Sequence, residues 1–200
     1  MTTTQERPRA ESQAARRAMI DSQLRTSGVN EPWVLAAMGS IAREDFVPEP
    51  MKSAAYIDRA IPLGNGRSLP APLVHAMMLR EAAPRQHDKV LLIGDGDGYL
   101  AALMRPLAGM VDAIDAETVM AARGDGSYTI VLVDGAMEAV PETLASYLSD
   151  DGRLVCGLVE KGVTRLAKGR KTGERIALLP LAELGIPTLP QFAAPKRWSF

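Results

Sequence analysis

Short apolar runs separated by turn residues dominate the chain from Lys89 onward. KVLLI, VDAID, TIVLVD and GRLVCGLV are continuous rather than alternating, and each ends near Gly or Asp. Such runs, separated by helical or turn-rich pieces, predict a parallel sheet covered on both faces. GVTRLAKGRK, the turn TGE and RIALLPLA predict an antiparallel hairpin at the sheet edge. Before Lys89 the period is helical. RAESQAARRAMIDSQLRTS predicts a helix over about 9–27, ended by Gly28, with Ala15, Ala18, Met19 and Leu24 as its buried stripe. Asn30 is expected to cap a second helix, with Pro32 in its first turn and WVLAAM carrying it to about Gly39. Ile41–Pro72 is rich in Pro and Gly and reads as an ordered functional loop. LVHAMMLREAA resumes a helix. Residues 1–8 are polar and expected to be disordered. The tail PQFAAPKRWSF is expected to dock through Phe192, Trp198 and Phe200. One domain is expected over 1–200, with helices and loop in 9–88 and the sheet in 89–200.

Composition narrows the function classes. The formal net charge is −1, so there is no basic footprint for nucleic acid. No apolar run approaches the ~20 residues needed to span a bilayer. The first residues lack the apolar segment of a secretory signal, so a cytoplasmic protein is expected. Cys156 lies in an apolar strand pattern and reads as a small core residue rather than a nucleophile. His75 and His87 are too few and too scattered to suggest a metal site.

The candidate chemistry begins at VLLIGDGDGY, Val90–Tyr99. A strand running through Gly94, Gly96 and Gly98 into a helix would expose backbone amides to a ligand. The spacing is G-x-G-x-G, not the G-x-G-x-x-G of dinucleotide sites, and Asp95 and Asp97 stand between the glycines. At ~4 Å and an effective dielectric of about 20, each contact of such an aspartate with a pyrophosphate oxygen would cost about 4 kcal/mol before screening. S-adenosylmethionine has no phosphate and carries an ammonium and a cationic sulfur, so the same carboxylates could attract it. An acid about twenty residues further on, at the tip of the next strand, would hold ribose hydroxyls. Asp115, ending VDAID, has that place. Taken alone, the glycines also fit a plain strand-to-helix turn. Asp134, ending TIVLVD, either faces the ligand crevice or caps the following turn.

These segments resemble the protein-L-isoaspartate O-methyltransferase family. DSQLRTSGVNEPWVLAAMGSIAREDFVPE is similar to its N-terminal helices and Arg-Glu-x-Phe-Val turn, here Arg43, Glu44, Phe46 and Val47. YIDRAIPLGNGRSLPAP is similar to its signature loop, and VLLIGDGDGYLAAL to its cofactor strand and loop. The resemblance implies a Rossmann-like α/β methyltransferase fold. It also implies S-adenosylmethionine as donor and isoaspartyl residues of damaged proteins or peptides as acceptor. Cofactor contacts are then expected from Gly94, Asp95, Gly96, Gly98, Asp115 and Asp134, and catalytic contacts from Arg67 and Ser68. Arg67 could grip the substrate's second carboxylate, or be a solvated loop charge. Tyr56 and Asp58 either line the substrate cleft or are a packed tyrosine and a solvated aspartate.

Three positions depart from the family's pattern. Its signature-loop serine falls on Pro70, which has neither hydroxyl nor N–H, and Ser68 is the nearest substitute. The acid two residues before the first glycine is Leu92. Only AETVMAARGDGS separates Asp115 from YTIVLVDGA, too little for the next helix–strand unit, since one parallel crossover takes a dozen residues or more. The sheet is therefore expected to lack the edge strand beside VDAID, and the adenine site to be open. Gly124-Asp125-Gly126 is either a remnant of the family's adenine-pocket turn or an ordinary turn. Two other functions stay open at this point. One is a catalytically degenerate homologue serving as a binding or structural module, self-associating through the exposed sheet edge. The other is a different small-molecule methyltransferase on the same frame.

Overall fold

A computed structural model describes residues 3–195 of the chain. Its centre is a six-stranded sheet built from β3 (Lys89–Ile93), β4 (Met110–Ile114), β5 (Tyr128–Met137), β6 (Leu148–Glu160), β7 (Val163–Thr172) and β8 (Arg175–Glu183), in the order β4-β3-β5-β6-β7-β8. The first four of these are parallel neighbours and the last two pairings are antiparallel. The strand runs are continuously apolar because both faces are covered. Val90, Leu92, Ile130, Leu132 and Val155 pack toward the N-terminal helices. Their alternates Leu91, Ile93, Val131, Val133 and Cys156 pack on the other face with Tyr147 and Phe192.

β4 is an edge strand, as the short span after Asp115 requires. Between β4 and β5 lie only the six-residue helix α5 (Ala116–Ala121) and a turn. The β7–β8 hairpin closes the other side, with Gly173 at φ +62° in its turn. On the helical face lie α1 (Thr3–Met19), which runs into a π-helical turn at Ile20–Leu24, then α2 (Pro32–Ser40) and α3 (Pro72–Ala82). Two further short helices are α4 (Tyr99–Met104), after the glycine loop, and α6 (Leu144–Tyr147), before β6.

The N-terminal half differs from the sequence expectation in four places. The first helix starts at Thr3, inside the stretch expected to be disordered; Gln5, Glu6 and Arg7 are good helix formers that extend it. Its inward face is partly polar. Ala15 and Ala18 are exposed, while Met19 and Leu24 are buried and Arg16 is half-buried. Arg16 donates to Tyr56 Oη (2.8 Å) and the carbonyl of Gly39 (3.1 Å), so long polar side chains rather than alanines make the contact. Glu31, not Asn30, is the N-cap of α2, and its carboxylate accepts from the Asn30 N–H instead of capping the helix. The Pro/Gly-rich loop contains a hairpin, β1 (Ile61–Gly64) and β2 (Arg67–Leu69), whose turn needs positive φ at Gly64, Asn65 and Gly66. Of the three aromatic residues expected to dock the tail, Phe192 is buried; Trp198 and Phe200 lie outside the described residues. No described helix is long and apolar enough to cross a membrane.

Cys156 is fully buried in β6, and burial pushes its thiol pKa up to about 12. It is expected to resist a water-soluble disulfide reagent at pH about 8 until denaturant is added, because the thiolate is the reactive form. Stoichiometric labelling of the native protein within minutes would contradict this placement.

Candidate functional site

The carboxyl ends of β3, β4 and β5 open into a cleft of about 940 Å³. Its walls come from the β1–β2 hairpin, the loop Gly94–Gly98, the first turn of α5 and the segment Pro187–Gln191. All eight residues expected at the site line it: Arg67, Ser68, Gly94, Asp95, Gly96, Gly98, Asp115 and Asp134.

The glycines answer to close packing. A Cβ on Gly94 would sit 3.0 Å from Asp134 Cβ, and one on Gly96 3.1 Å from Ala113 Cβ. A Cβ on Gly98 would meet the Asp95 carbonyl at 3.0 Å. The loop thus lies directly on the ends of the neighbouring strands. Within it, Asp95 Oδ1 accepts from the Asp97 N–H (3.0 Å), and Arg67 Nη1 donates to Asp95 Oδ2 (2.8 Å). That exposed ion pair joins the hairpin to the glycine loop. It is worth little as stability, but it sets where both loops stand.

Asp115 is the N-cap of α5. Its Oδ1 accepts from the Thr118 N–H at 2.7 Å, which holds the carboxyl below its ordinary pKa and leaves the second oxygen to the cleft. Asp134 is the least exposed of the cleft's acids tied to a partner: its side chain is 14% exposed, and its Oδ1 lies 2.9 Å from His75 Nε2.

Two residues of this site escaped the sequence reading. His75, on α3, is fully buried, as is Arg43 in the short 3₁₀ turn Arg43–Phe46. Arg43 Nε donates to the carbonyl of Ala55 (2.8 Å), Nη2 to the carbonyl of Pro70, and Nη1 faces His75 Nδ1 at 3.3 Å. Its guanidinium also stands 5.1 Å from the centre of the Tyr99 ring. Burial lowers its pKa to about 10, which still leaves it charged at neutral pH. Only its place in the Arg-Glu-x-Phe-Val turn marked Arg43, and a histidine inside an otherwise apolar helix was the one local signal for His75. Pro70, where the family's serine falls, is buried and anchors the loop through its carbonyl.

Other expectations resolve away from the cleft. Tyr56 is a packed residue whose hydroxyl accepts from Arg16 and donates to Glu44; it does not line the cleft, and Asp58 is exposed. Gly124-Asp125-Gly126 is an ordinary turn. Asp125 Oδ1 accepts from the Ser127 N–H (3.1 Å), and Gly124 packs so closely on Tyr147 that a Cβ would meet its ring at 2.5 Å. The far end of the cleft is instead bounded by Glu117 and by Gln191, whose amide donates to Glu117 Oε1 at 2.9 Å. The segment carrying Gln191 is fixed to β5 through Ala136, which donates to Pro187 O (2.8 Å) and accepts from the Leu189 N–H (2.9 Å).

The charge of the cleft is one-sided. Among the described residues, Asp45, Asp95, Asp97, Asp115, Glu117 and Asp134 line it, against Arg67 as the one Lys or Arg.

Residues 14–119 match the family model for protein-L-isoaspartate(D-aspartate) O-methyltransferase. A protein-L-isoaspartate O-methyltransferase 2 of Anaeromyxobacter sp. is 34% identical over 193 residues, covering 80% of this chain and 79% of the relative. The protein-L-isoaspartate O-methyltransferase of Methanoculleus marisnigri is 32% identical, covering 88% and 92%. The chain belongs to the protein-L-isoaspartate O-methyltransferase family. The family match ends at Val119, inside α5. Solved structures share the fold. One protein-L-isoaspartate O-methyltransferase aligns with a TM-score of 0.68 at 19% identity over 87% of this chain; the match spans 65% of that longer chain. A Plasmodium falciparum protein assigned to the same family, in complex with S-adenosyl-L-homocysteine, aligns with a TM-score of 0.66 at 16% identity, covering 90% of this chain and 98% of that one.

Proposed function

We propose that this family member transfers a methyl group from S-adenosylmethionine to a carboxylate of isoaspartyl residues in damaged proteins, in the cytoplasm. The observation that carries the reading is the cleft's charge: among the described residues, six acids to one arginine around a glycine loop. Such a lining attracts an ammonium and a sulfonium and opposes a pyrophosphate.

The residues present fit the cofactor. Asp115 offers a carboxylate oxygen for ribose hydroxyls, with Ile114, Ala116, Leu189 and Pro190 as apolar surface nearby. Asp134 offers a half-buried carboxylate to a cationic group. When bound, S-adenosylmethionine supplies an activated methyl on a positively charged sulfur.

The rest is positioning. The accepting carboxylate is already ionised at neutral pH, so the chain needs no general base. Arg67, now paired with Asp95, would exchange it for the substrate's carboxylate, and Ser68, which also lines the cleft, would offer a hydroxyl beside it. Orientation and exclusion of water then account for the rate. The family match and the names of the relatives favour catalysis over a retired scaffold, even with Pro70 in the serine's place.

Labelled methyl transfer to an isoaspartyl peptide, with its normal aspartyl counterpart as control, tests the reading. Arg67→Ala is expected to lower kcat/KM for the isoaspartyl peptide on the order of tenfold to a hundredfold through loss of a charge-assisted contact. The cofactor's Kd should not weaken. Peptide kinetics unchanged by the substitution would remove Arg67 from substrate binding.

A further inference from the structure

Beneath the glycine loop, three side chains distant in sequence form one line: Arg43, His75 and Asp134. The two inner members are fully buried and the third opens to the cleft. A guanidinium has only donors and keeps its protons at neutral pH. Arg43 Nη1, at 3.3 Å from His75 Nδ1, therefore requires a lone pair on that nitrogen. The ring proton then sits on Nε2, which donates to Asp134 Oδ1 at 2.9 Å. The packing leaves the ring little freedom to choose otherwise. Tyr99 stacks at a tilt against it, ring centres 5.6 Å apart, and Arg43 is itself fixed by Nε and Nη2 donating to the Ala55 and Pro70 carbonyls.

The geometry points to His75 as a positioning residue for the cofactor site: fixed by Arg43 as the neutral Nε2–H tautomer, it holds one oxygen of Asp134 and leaves the other, with the full negative charge, to a cationic group in the cleft. A doubly protonated imidazole here would put a second cation against Arg43 and partly neutralise the carboxylate. The relay explains two further features. A Cβ on Gly94 would crowd Asp134 Cβ at 3.0 Å, so the glycine lets the loop lie against this carboxylate. Arg43 also ties the carbonyl of Pro70, so the same guanidinium that sets the histidine sets the end of the signature loop. Ligand-binding carboxylate and substrate loop thus share one buried anchor.

The inference rests on the methyltransferase reading, and paired amide substitutions test it. In His75→Gln the amide nitrogen takes the place of Nε2 and keeps the link to Asp134. In His75→Asn the side chain reaches only the Nδ1 place, keeps the link to Arg43 and loses Asp134. Calorimetric titration with S-adenosylmethionine should give His75→Gln within about threefold of wild type and His75→Asn weaker by about tenfold or more. A purely structural role would instead make affinity follow melting temperature, whichever link is kept. In the wild-type protein, nitrogen NMR of His75 at neutral pH should show a proton on Nε2 and a bare Nδ1, a readout that needs no variant. Equal weakening by both substitutions, or a protonated Nδ1, would overturn the inference while leaving the functional reading standing. Wild-type protein that takes up no S-adenosylmethionine would overturn both.

Discussion

Replacing Asp134 with alanine is expected to weaken S-adenosylmethionine binding by on the order of a hundredfold, about 3 kcal/mol, the cost of removing one partner of a largely desolvated charge pair. Asp134 is the acid best placed for this effect. Its side chain is 14% exposed, it lines the cleft, and His75 holds it in position. Asp134→Asn keeps the shape and can still accept from His75, so it should lose less, about tenfold, the part owed to charge alone. Asp115 makes a useful contrast. It is exposed and already serves as a helix cap, so Asp115→Asn should weaken the cofactor by only a few-fold. Calorimetry on the three variants gives the order directly. Equal effects at the two positions would show that the half-buried carboxylate has no special role.

Arg43→Leu should destabilise the fold more than any of the substitutions at Arg67, His75, Asp115 or Asp134. The guanidinium is fully buried and serves the carbonyls of Ala55 and Pro70, the ring nitrogen of His75 and the face of Tyr99. Leucine would leave those acceptors buried without donors, at a cost of about 3–5 kcal/mol. For a chain of this size that is a fall of roughly 10 °C in Tm. Arg43→Lys keeps the charge but only one compact donor group, and its Tm should fall between those of wild type and Arg43→Leu. Thermal unfolding followed by circular dichroism checks both. A Tm for Arg43→Leu within about 2 °C of wild type would contradict the anchor.

The strands were legible in the sequence because each follows from local pattern. Each apolar run is a strand, and alternate residues such as Val90 and Leu91 feed opposite cores. The edge position of β4 was legible for a different reason: chain length after Asp115 leaves no room for another strand. The glycine loop and its aspartates were legible as a site. Which way they face was not, because that depends on Arg67, 28 residues away in sequence, reaching Asp95. Hydrophobic periodicity fails at Ala15 and Ala18 because it cannot anticipate a contact made through Arg16 and Tyr56. The relay was hidden by distance: Arg43 and His75 lie 32 residues apart, His75 and Asp134 59. A charged residue in a turn gives no local sign that the fold will bury it. The far wall of the cleft was likewise invisible, since Gln191 meets Glu117 across 74 residues.

We infer a cleft built for a sulfonium nucleoside. Side-by-side calorimetric titrations of the purified chain with S-adenosylmethionine and with NAD test it most directly. The six acids and the Asp115 cap predict S-adenosylmethionine binding in the micromolar range and no measurable heat with NAD. Uptake of NAD, or no uptake of S-adenosylmethionine, would contradict it.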